Sequence, residues 1–336
     1  MSDALGVAVV GLGVGEQHAR TFRALPQCQL KWLCDLDLSK AHALAAELQV
    51  PGVTADFQTV LADPAVQIIS IASYDDAHAA QVVAALRAGK HVFVEKPLCQ
   101  TEAELQQIQR AWAEAGGRLK LASNLVLRAA PLYQWLRAKI QAGDFGQIYA
   151  FDGEYLYGRL HKLTDGWRRD VEHYSVMHGG GIHLIDLMLW LLGERPTTAT
   201  AFGNRLATAD TKFRYEDFVA ASLQMPSGLA ARIVANFGCV QRHQHVVRIY
   251  GTRATFLYDD AGPRLHLTRD PAVAASMITL APLPPSKGAL IPAFVAAVQN
   301  DTALDAETQS FLDGLTISAA CDRALHSRQL EQITYL

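Results

Sequence analysis

The run "HGGGIHLIDLMLW", His178 to Trp190, places two histidines and an aspartate around three consecutive glycines. If a helix begins near Gly181, successive residues turn by about 100°, so His183 and Asp186 lie about 60° apart on one face. A histidine near a helix start has its charged form disfavoured by the dipole, which leaves a neutral imidazole able to accept a proton. Asp186 would orient that ring or bind a substrate hydroxyl. His173, His178 and His183 recur at equal spacing, which raises a metal site as an alternative. Ligands five apart on one helix diverge by about 140°, and the glycines read as loop rather than helix. No metal is therefore expected, and a satisfied core histidine is the other reading of His183.

A second cluster, "VAVVGLGVGEQHA", carries Gly11-x-Gly13-x-Gly15 with Val14 inside the turn. The spacing is one residue tighter than the usual G-x-G-x-x-G. It stands between an apolar β-branched run and a helical pattern, where backbone N–H groups and a helix dipole would meet a pyrophosphate. About twenty residues on comes Asp35, placed to accept hydrogen bonds from an adenosine ribose. Its charge would repel a 2′-phosphate and Leu36 follows it rather than Arg, so NAD is expected over NADP.

These residues need particular elements to position them. In the first third, "GVAVVG", "QLKWLCD", "VQIISIAS", "HVFVEK" and finally "LKLASNL" read as strands. Helical period runs between them at Glu16 to Leu25, Leu38 to Leu48, His78 to Ala88 and Glu102 to Ala115. Strand, crossover helix, strand is the signature of a parallel α/β sheet. From about Tyr149 the pattern becomes alternation with tight turns, in "YAFDGEYLYG", "FVAASLQMPSGLAARIVANFG" and "HVVRIYGTRATFLYDD". That implies an antiparallel sheet. Helical pattern returns at Ile182 to Leu192, Leu290 to Gln299 and Glu307 to Arg328, and "APLPPSKG" reads as a linker or lid loop. The expected architecture is a Rossmann-type parallel-sheet domain over 1–123, then an α+β domain over 124–336 with a large, mainly antiparallel open sheet.

Bulk properties narrow the function classes. With 336 residues, half of them apolar, two cores can be buried. A net charge of −3 with no basic stripe argues against nucleic acid as partner. The five cysteines are scattered and never in C-x-x-C spacing, which fits a reducing cytoplasm. The opening residues lack a charged-then-apolar leader, and the longest apolar run is too short to span a bilayer. No membrane partner is expected.

"GKHVFVEKPL", Gly89 to Leu98, adds a third cluster. Together with "GLGVGEQHA", the His78 after the fourth strand, and "GGGIHLID", it resembles the Gfo/Idh/MocA family of NAD(P)-dependent oxidoreductases, which act mostly on sugars, inositols and sugar derivatives. The resemblance implies that Lys96 lies beside nicotinamide and substrate, with Glu95, Ser73, Tyr74 and His78 on the cofactor side. Lys96 also follows a strand whose C-terminal end opens on the crevice where open parallel sheets bind ligands. Pro97 restricts it to extended conformations and permits a cis bond.

Two departures from the family pattern matter. An Asp usually stands four residues before the histidine, and that position here is Gly179; His178, or water held by the glycines, is the expected replacement. The loop after the fourth strand reads Ser73-Tyr74-Asp75 in place of Thr-Pro-Asn. "DGWRRDVEHYS" matches a W-R segment facing the substrate, where Trp167 would stack on a sugar ring and Arg168 bind a carboxylate or phosphate. A surface loop anchored by one tryptophan is the competing reading. Tyr155, Tyr157, Arg159, Asn124 and Arg128 are expected pocket walls.

The resulting expectation is an NAD-dependent dehydrogenase or reductase of a sugar, cyclic polyol or sugar derivative, with Lys96 and His183 catalytic and Asp186, Trp167, Arg168, His178 and Tyr155 binding substrate. A homodimer or homotetramer is expected, from alternating apolar faces on the second sheet. The rivals are an NAD-retaining glycosidase of the same family, and a non-catalytic dinucleotide-binding regulator.

Overall fold

The computed structural model describes residues 4–335. The chain forms two compact units, one of residues up to Val126 plus Pro284–Leu312, the other of Leu127–Leu283 plus the chain from Asp313 onward.

The first unit alternates β1 (Leu5–Val10), α1 (Gly15–Ala24), β2 (Cys28–Cys34), α2 (Leu38–Leu48), β3 (Gly52–Thr54), α3 (Phe57–Ala62), β4 (Ile68–Ile71), α4 (His78–Arg87), β5 (His91–Val94), α5 (Glu102–Glu114) and β6 (Leu121–Ser123). All pairs are parallel, in the order β3-β2-β1-β4-β5-β6. Strands buried on both faces need continuous apolar runs, and all four residues of β4 are buried. The order reverses between β1 and β4, so the glycine turn after β1 lies at the topological switch point, where such sheets bind ligands. β3 and α3 leave no mark in the sequence pattern, because three and six residues are too few to show a period.

The second unit begins with α6 (Pro131–Gln141), then β7 (Ile148–Leu156), the short α7 (His161–Thr164), a π-helical turn (Met177–Gly181) and α8 (Ile182–Leu192). Then follow β8 (Thr198–Asn204), β9 (Phe218–Gln224), β10 (Ala230–Asn236), β11 (Gln244–Gly251), β12 (Thr255–Asp259), β13 (Gly262–His266) and β14 (Ser276–Met277). The chain closes with α9 (Ile291–Gln299), α10 (Asp305–Ser327) and β15 (Glu331–Gln332). The nine strands are ordered β14-β13-β12-β11-β7-β10-β9-β8-β15. β7 and β10 pair in parallel, and the other described pairs are antiparallel. Leu184 of α8 packs so closely on β7 that a Cβ at Gly153 would lie 3.1 Å from its own.

The sequence pattern alone ends the first domain at 123. The structure returns Pro284–Leu312 to the first unit, where Ile291, Phe294 and Val295 of α9 join the core of Phe22, Leu33 and Phe93. Among the described residues no helix is long and apolar enough to cross a membrane.

Candidate active site

In the first unit the expected cofactor residues gather at the C-terminal ends of β1, β2, β4 and β5. Gly11 has φ of +80°, and a Cβ there would lie 2.5 Å from the backbone of Ala72 and Ser73, so only glycine lets this turn press on the end of β4. A Cβ on Gly15 would stand 3.1 Å from Val9 and 3.2 Å from Ala72, whereas one on Gly13 would meet open space. Helix and strand are thus drawn together while the middle of the turn, with the exposed Val14, stays clear for a ligand. Asp35 Oδ2 accepts from Leu12 N at 2.5 Å and Oδ1 from Asp37 N at 2.8 Å. This carboxylate therefore staples the glycine turn to the end of β2, and each oxygen keeps a lone pair for a ribose hydroxyl. The N-cap of α2 is Asp37, not Asp35. The cradle fits a dinucleotide.

Two residues assigned to the cofactor turn inward. The His78 ring is fully buried, with Nδ1 2.7 Å from Pro97 O and Nε2 3.1 Å from Ser73 O. Both ring nitrogens face backbone carbonyls, so His78 ties the turn after β4 to the segment after β5. Ser73 Oγ donates to Gln81, and Tyr74 is exposed. Glu95 Oε1 lies 3.2 Å from His18 Nε2 and accepts from Asn124 Nδ2 at 2.6 Å, while His18 Nδ1 lies 3.0 Å from Ser70 Oγ. Burial pushes the Glu95 carboxyl up, but the bond to His18, the charges of His18 and Lys96 and the bond to Asn124 outweigh it and bring it down to about 2. Its carboxylate braces β5 against α1 just before Lys96, whose peptide bond to Pro97 is cis. Lys96 itself is half-buried.

In the second unit the three glycines are helical rather than loop: the π-helical turn runs unbroken into α8. Ser175 Oγ caps it, accepting from Met177 N at 3.1 Å and His178 N at 3.3 Å. His183 therefore sits beyond the first helical turn, and the dipole argument for its neutrality loses force, because that field fades within one turn. The glycines instead make room for rings. A Cβ on Gly179 would come within 2.6 Å of Tyr174 Oη, and one on Gly180 within 2.5 Å of the Tyr155 ring.

The space beside Gly179 thus belongs to Tyr174, whose oxygen accepts from Arg168 Nε at 3.0 Å. His178, the expected replacement, instead places Nδ1 3.1 Å from Asp322 Oδ2 and 3.0 Å from Ser318 Oγ on α10. Asp186 is fully buried and receives Arg128 on both oxygens, Nη2 at 2.5 Å and Nε at 2.9 Å. Burial pushes its carboxyl up and the guanidinium opposes that push. Arg168 also stacks over Trp167, 4.5 Å from the ring centre, in a short helical turn at Trp167–Arg169. The W-R segment is thereby linked to Tyr174 instead of hanging as a separate surface loop.

Tyr155 stands at the centre of an aromatic cluster in this unit. It stacks on His183 at 5.8 Å and contacts Tyr157, Phe237, His243 and His245. His243, His245, Tyr174 and His18 were not singled out from the sequence. The H-x-H at the start of β11 was a usable signal, since residues two apart on a strand share a face. Among the described residues no group of three or more His, Cys, Asp or Glu is arranged to hold a metal.

Residues 5–123 match the family model described as "Oxidoreductase family, NAD-binding Rossmann fold", and residues 133–257 the one described as "GFO/IDH/MocA C-terminal domain". Inositol 2-dehydrogenase 2 of Saccharopolyspora erythraea is 29% identical over 199 residues, 59% of this chain and 56% of that protein. The matched segment thus spans little more than half of that relative. The 2,7-anhydro-N-acetylneuraminate hydratase of Escherichia coli is 26% identical over 266 residues, 76% of this chain and 68% of that protein. The fold superposes on a levoglucosan dehydrogenase solved with NADH at a TM-score of 0.87, covering 99% of this chain and 100% of the other at 18% identity.

Proposed function

Since the chain belongs to the Gfo/Idh/MocA family of oxidoreductases, we propose that it moves hydride between a sugar, cyclic polyol or sugar derivative and NAD. The observation that carries this reading is Lys96 at the end of β5, directly after a Glu95 braced by His18 and Asn124, in the same unit as the glycine cradle and Asp35. When bound in that cradle, the nicotinamide supplies a hydride acceptor. The Lys96 ammonium hydrogen-bonds the reacting oxygen and stabilises the developing alkoxide, and His183 accepts the hydroxyl proton. In reduction the hydride and the proton travel the other way, with Lys96 and His183 exchanging roles. Asp186 acts through Arg128 by holding α8, and His178 acts by pinning the π-helical turn to α10. Trp167 and Arg168 bind the ring and polar substituents of the substrate. Asp35 favours NAD over NADP.

The test couples calorimetric binding of NAD and NADP to a screen of sugars, sugar acids, inositols and nucleotide sugars followed at the NADH absorbance band. Lys96→Met should lower turnover by a factor of about 10² or more while leaving NAD affinity unchanged. Retained turnover removes Lys96 from the mechanism, and tighter NADP binding overturns the cofactor preference. NAD binding without turnover on any substrate would favour a regulator.

A second reading rests on the hydratase relative. An enzyme that oxidises transiently and keeps its dinucleotide forms product without accumulating NADH, as the glycosidase alternative also requires. Product analysis alongside absorbance separates these cases. Exposed Tyr149, Phe202 and Met277 on β7, β8 and β14 support self-association through the second sheet. Light scattering should give a dimer or tetramer, and a monomer at micromolar concentration would exclude it.

A further inference from the structure

Helix α1 begins without a side-chain cap. Val14 stands at the N-cap position and offers no oxygen to the first N–H groups, which leaves them to an anion such as the pyrophosphate of a dinucleotide. The segments around that start carry the wrong charge to complete the site. The turn over 11–15 holds no cation, and the loops after β2 and β4 contribute Asp35, Asp37, Asp75 and Asp76. The arginines of α1 are engaged already, since Arg20 pairs with Glu16 and Glu47, and Arg23 Nε donates to Leu48 O at 2.9 Å. The proposed reaction uses Lys96. A pyrophosphate at this rim therefore calls for a cation from another segment.

The "PPSKG" segment just before α9 supplies one. Gly288 lies so close to α1 that a Cβ there would overlap the Thr21 hydroxyl and stand 2.8 Å from Thr21 Cβ. Nearer the start of α1, Lys287 N donates to Gln17 Oε1 at 3.3 Å. Lys287 O accepts from Asn124 Nδ2 at 2.8 Å, the same amide that donates to Glu95. Behind it, Ile291 N donates to Gly288 O at 3.0 Å, and α9 enters the core beside Phe22 of α1. The backbone of Lys287 is thus held at both its N–H and its C=O, while the residue is exposed. Among the described residues its ammonium takes no hydrogen bond or ion pair. Its four-carbon stem spans about one helical turn, roughly 5 Å, which is the reach needed from the level of Gln17 back to Val14.

We infer that Lys287 is a cofactor-binding residue whose ammonium pairs with the pyrophosphate at the start of α1. The inference rests on reading the glycine turn as a dinucleotide cradle. Gln17, Asn124 and Gly288 position the lysine and touch no phosphate through it. A charge-assisted bond of this kind strengthens binding of the diphosphate, is screened by salt because the residue is exposed, and is indifferent to the adenine ring. Fixing the backbone beforehand lowers the ordering cost that a lysine on a free loop would carry.

Binding measurements on the full chain test it without any substrate. NADH is titrated by its own fluorescence, and ADP and adenosine by their displacement of it. Lys287→Met should weaken NADH and ADP about tenfold, leave adenosine unchanged, and flatten the loss of NADH affinity as salt is raised. Lys287→Arg should keep most of the affinity, because it keeps the charge. Gly288→Ala, which lifts the segment from Thr21, should weaken NADH and ADP in the same pattern. Wild-type affinity and salt dependence in Lys287→Met overturn the assignment, and so does an equal loss for adenosine, which marks a distorted cradle. A wild type that binds none of the three overturns the cradle reading and the role of Lys287 together. Binding that depends on Lys287, with no turnover on any substrate, supports the assignment and counts only against hydride transfer.

Discussion

At Gly180 one hydrogen decides how the aromatic cluster of the second unit is packed. A methyl there would stand 2.5 Å from two atoms of the Tyr155 ring and 2.7 Å from Phe237. Gly180→Ala gains up to about 1 kcal/mol of helix propensity and loses about 1–3 kcal/mol to overpacking. The net expectation is destabilisation, with Tyr155 displaced from His183. Chemical denaturation measures it, and a variant more stable than wild type would refute the close-approach argument. Gly179 follows the same logic with Tyr174, which explains why no acid side chain stands there: the phenol and its Arg168 donor already fill the volume. None of this was legible in "HGGG", because a glycine announces the absence of a side chain and not the identity of the neighbour that uses the space.

Among elements, the join between α1 and β5 carries a pH signature. Glu95 is braced there by His18 and Asn124, and its folded value near 2 lies below the ordinary 4.5. A carboxyl depressed on folding stabilises the native state fully above the unfolded value, and that contribution is lost as pH falls through the folded one. Wild type should therefore exceed Glu95→Gln in stability above about pH 4.5, with the gap closing towards pH 2. Denaturation midpoints across that range check it, and a gap independent of pH would sink the idea. The strands and helices here were largely readable, since α2 spans Leu38–Leu48 as expected and α4 departs by one residue. The brace was not, since His18 and Asn124 are 106 residues apart in the chain.

For the whole molecule, the return of α9 to the first unit means that this unit's stability depends on residues far along the sequence. Phe294 is 3% exposed and packs on Phe93 with centroids 5.5 Å apart. Phe294→Ala should cost the dinucleotide-binding unit about 3–5 kcal/mol, read as an earlier unfolding transition that bound NAD partly restores. If that transition is unchanged, α9 contributes nothing to the first core.

Local order carried the architecture: apolar runs and helical periods repeat over enough residues to declare a parallel sheet and then an antiparallel one, and short motifs located the cradle and Lys96. Those signals are contained within segments of the chain. Which partner each polar group takes depends on distances between segments, and only the tertiary structure decided it. It gave His178 to Asp322, Asp186 to Arg128 and Glu95 to His18, and brought His245 of β11 to the ring of His183. A buried polar group must find a partner wherever the fold supplies one, and the fold supplies it from another part of the chain.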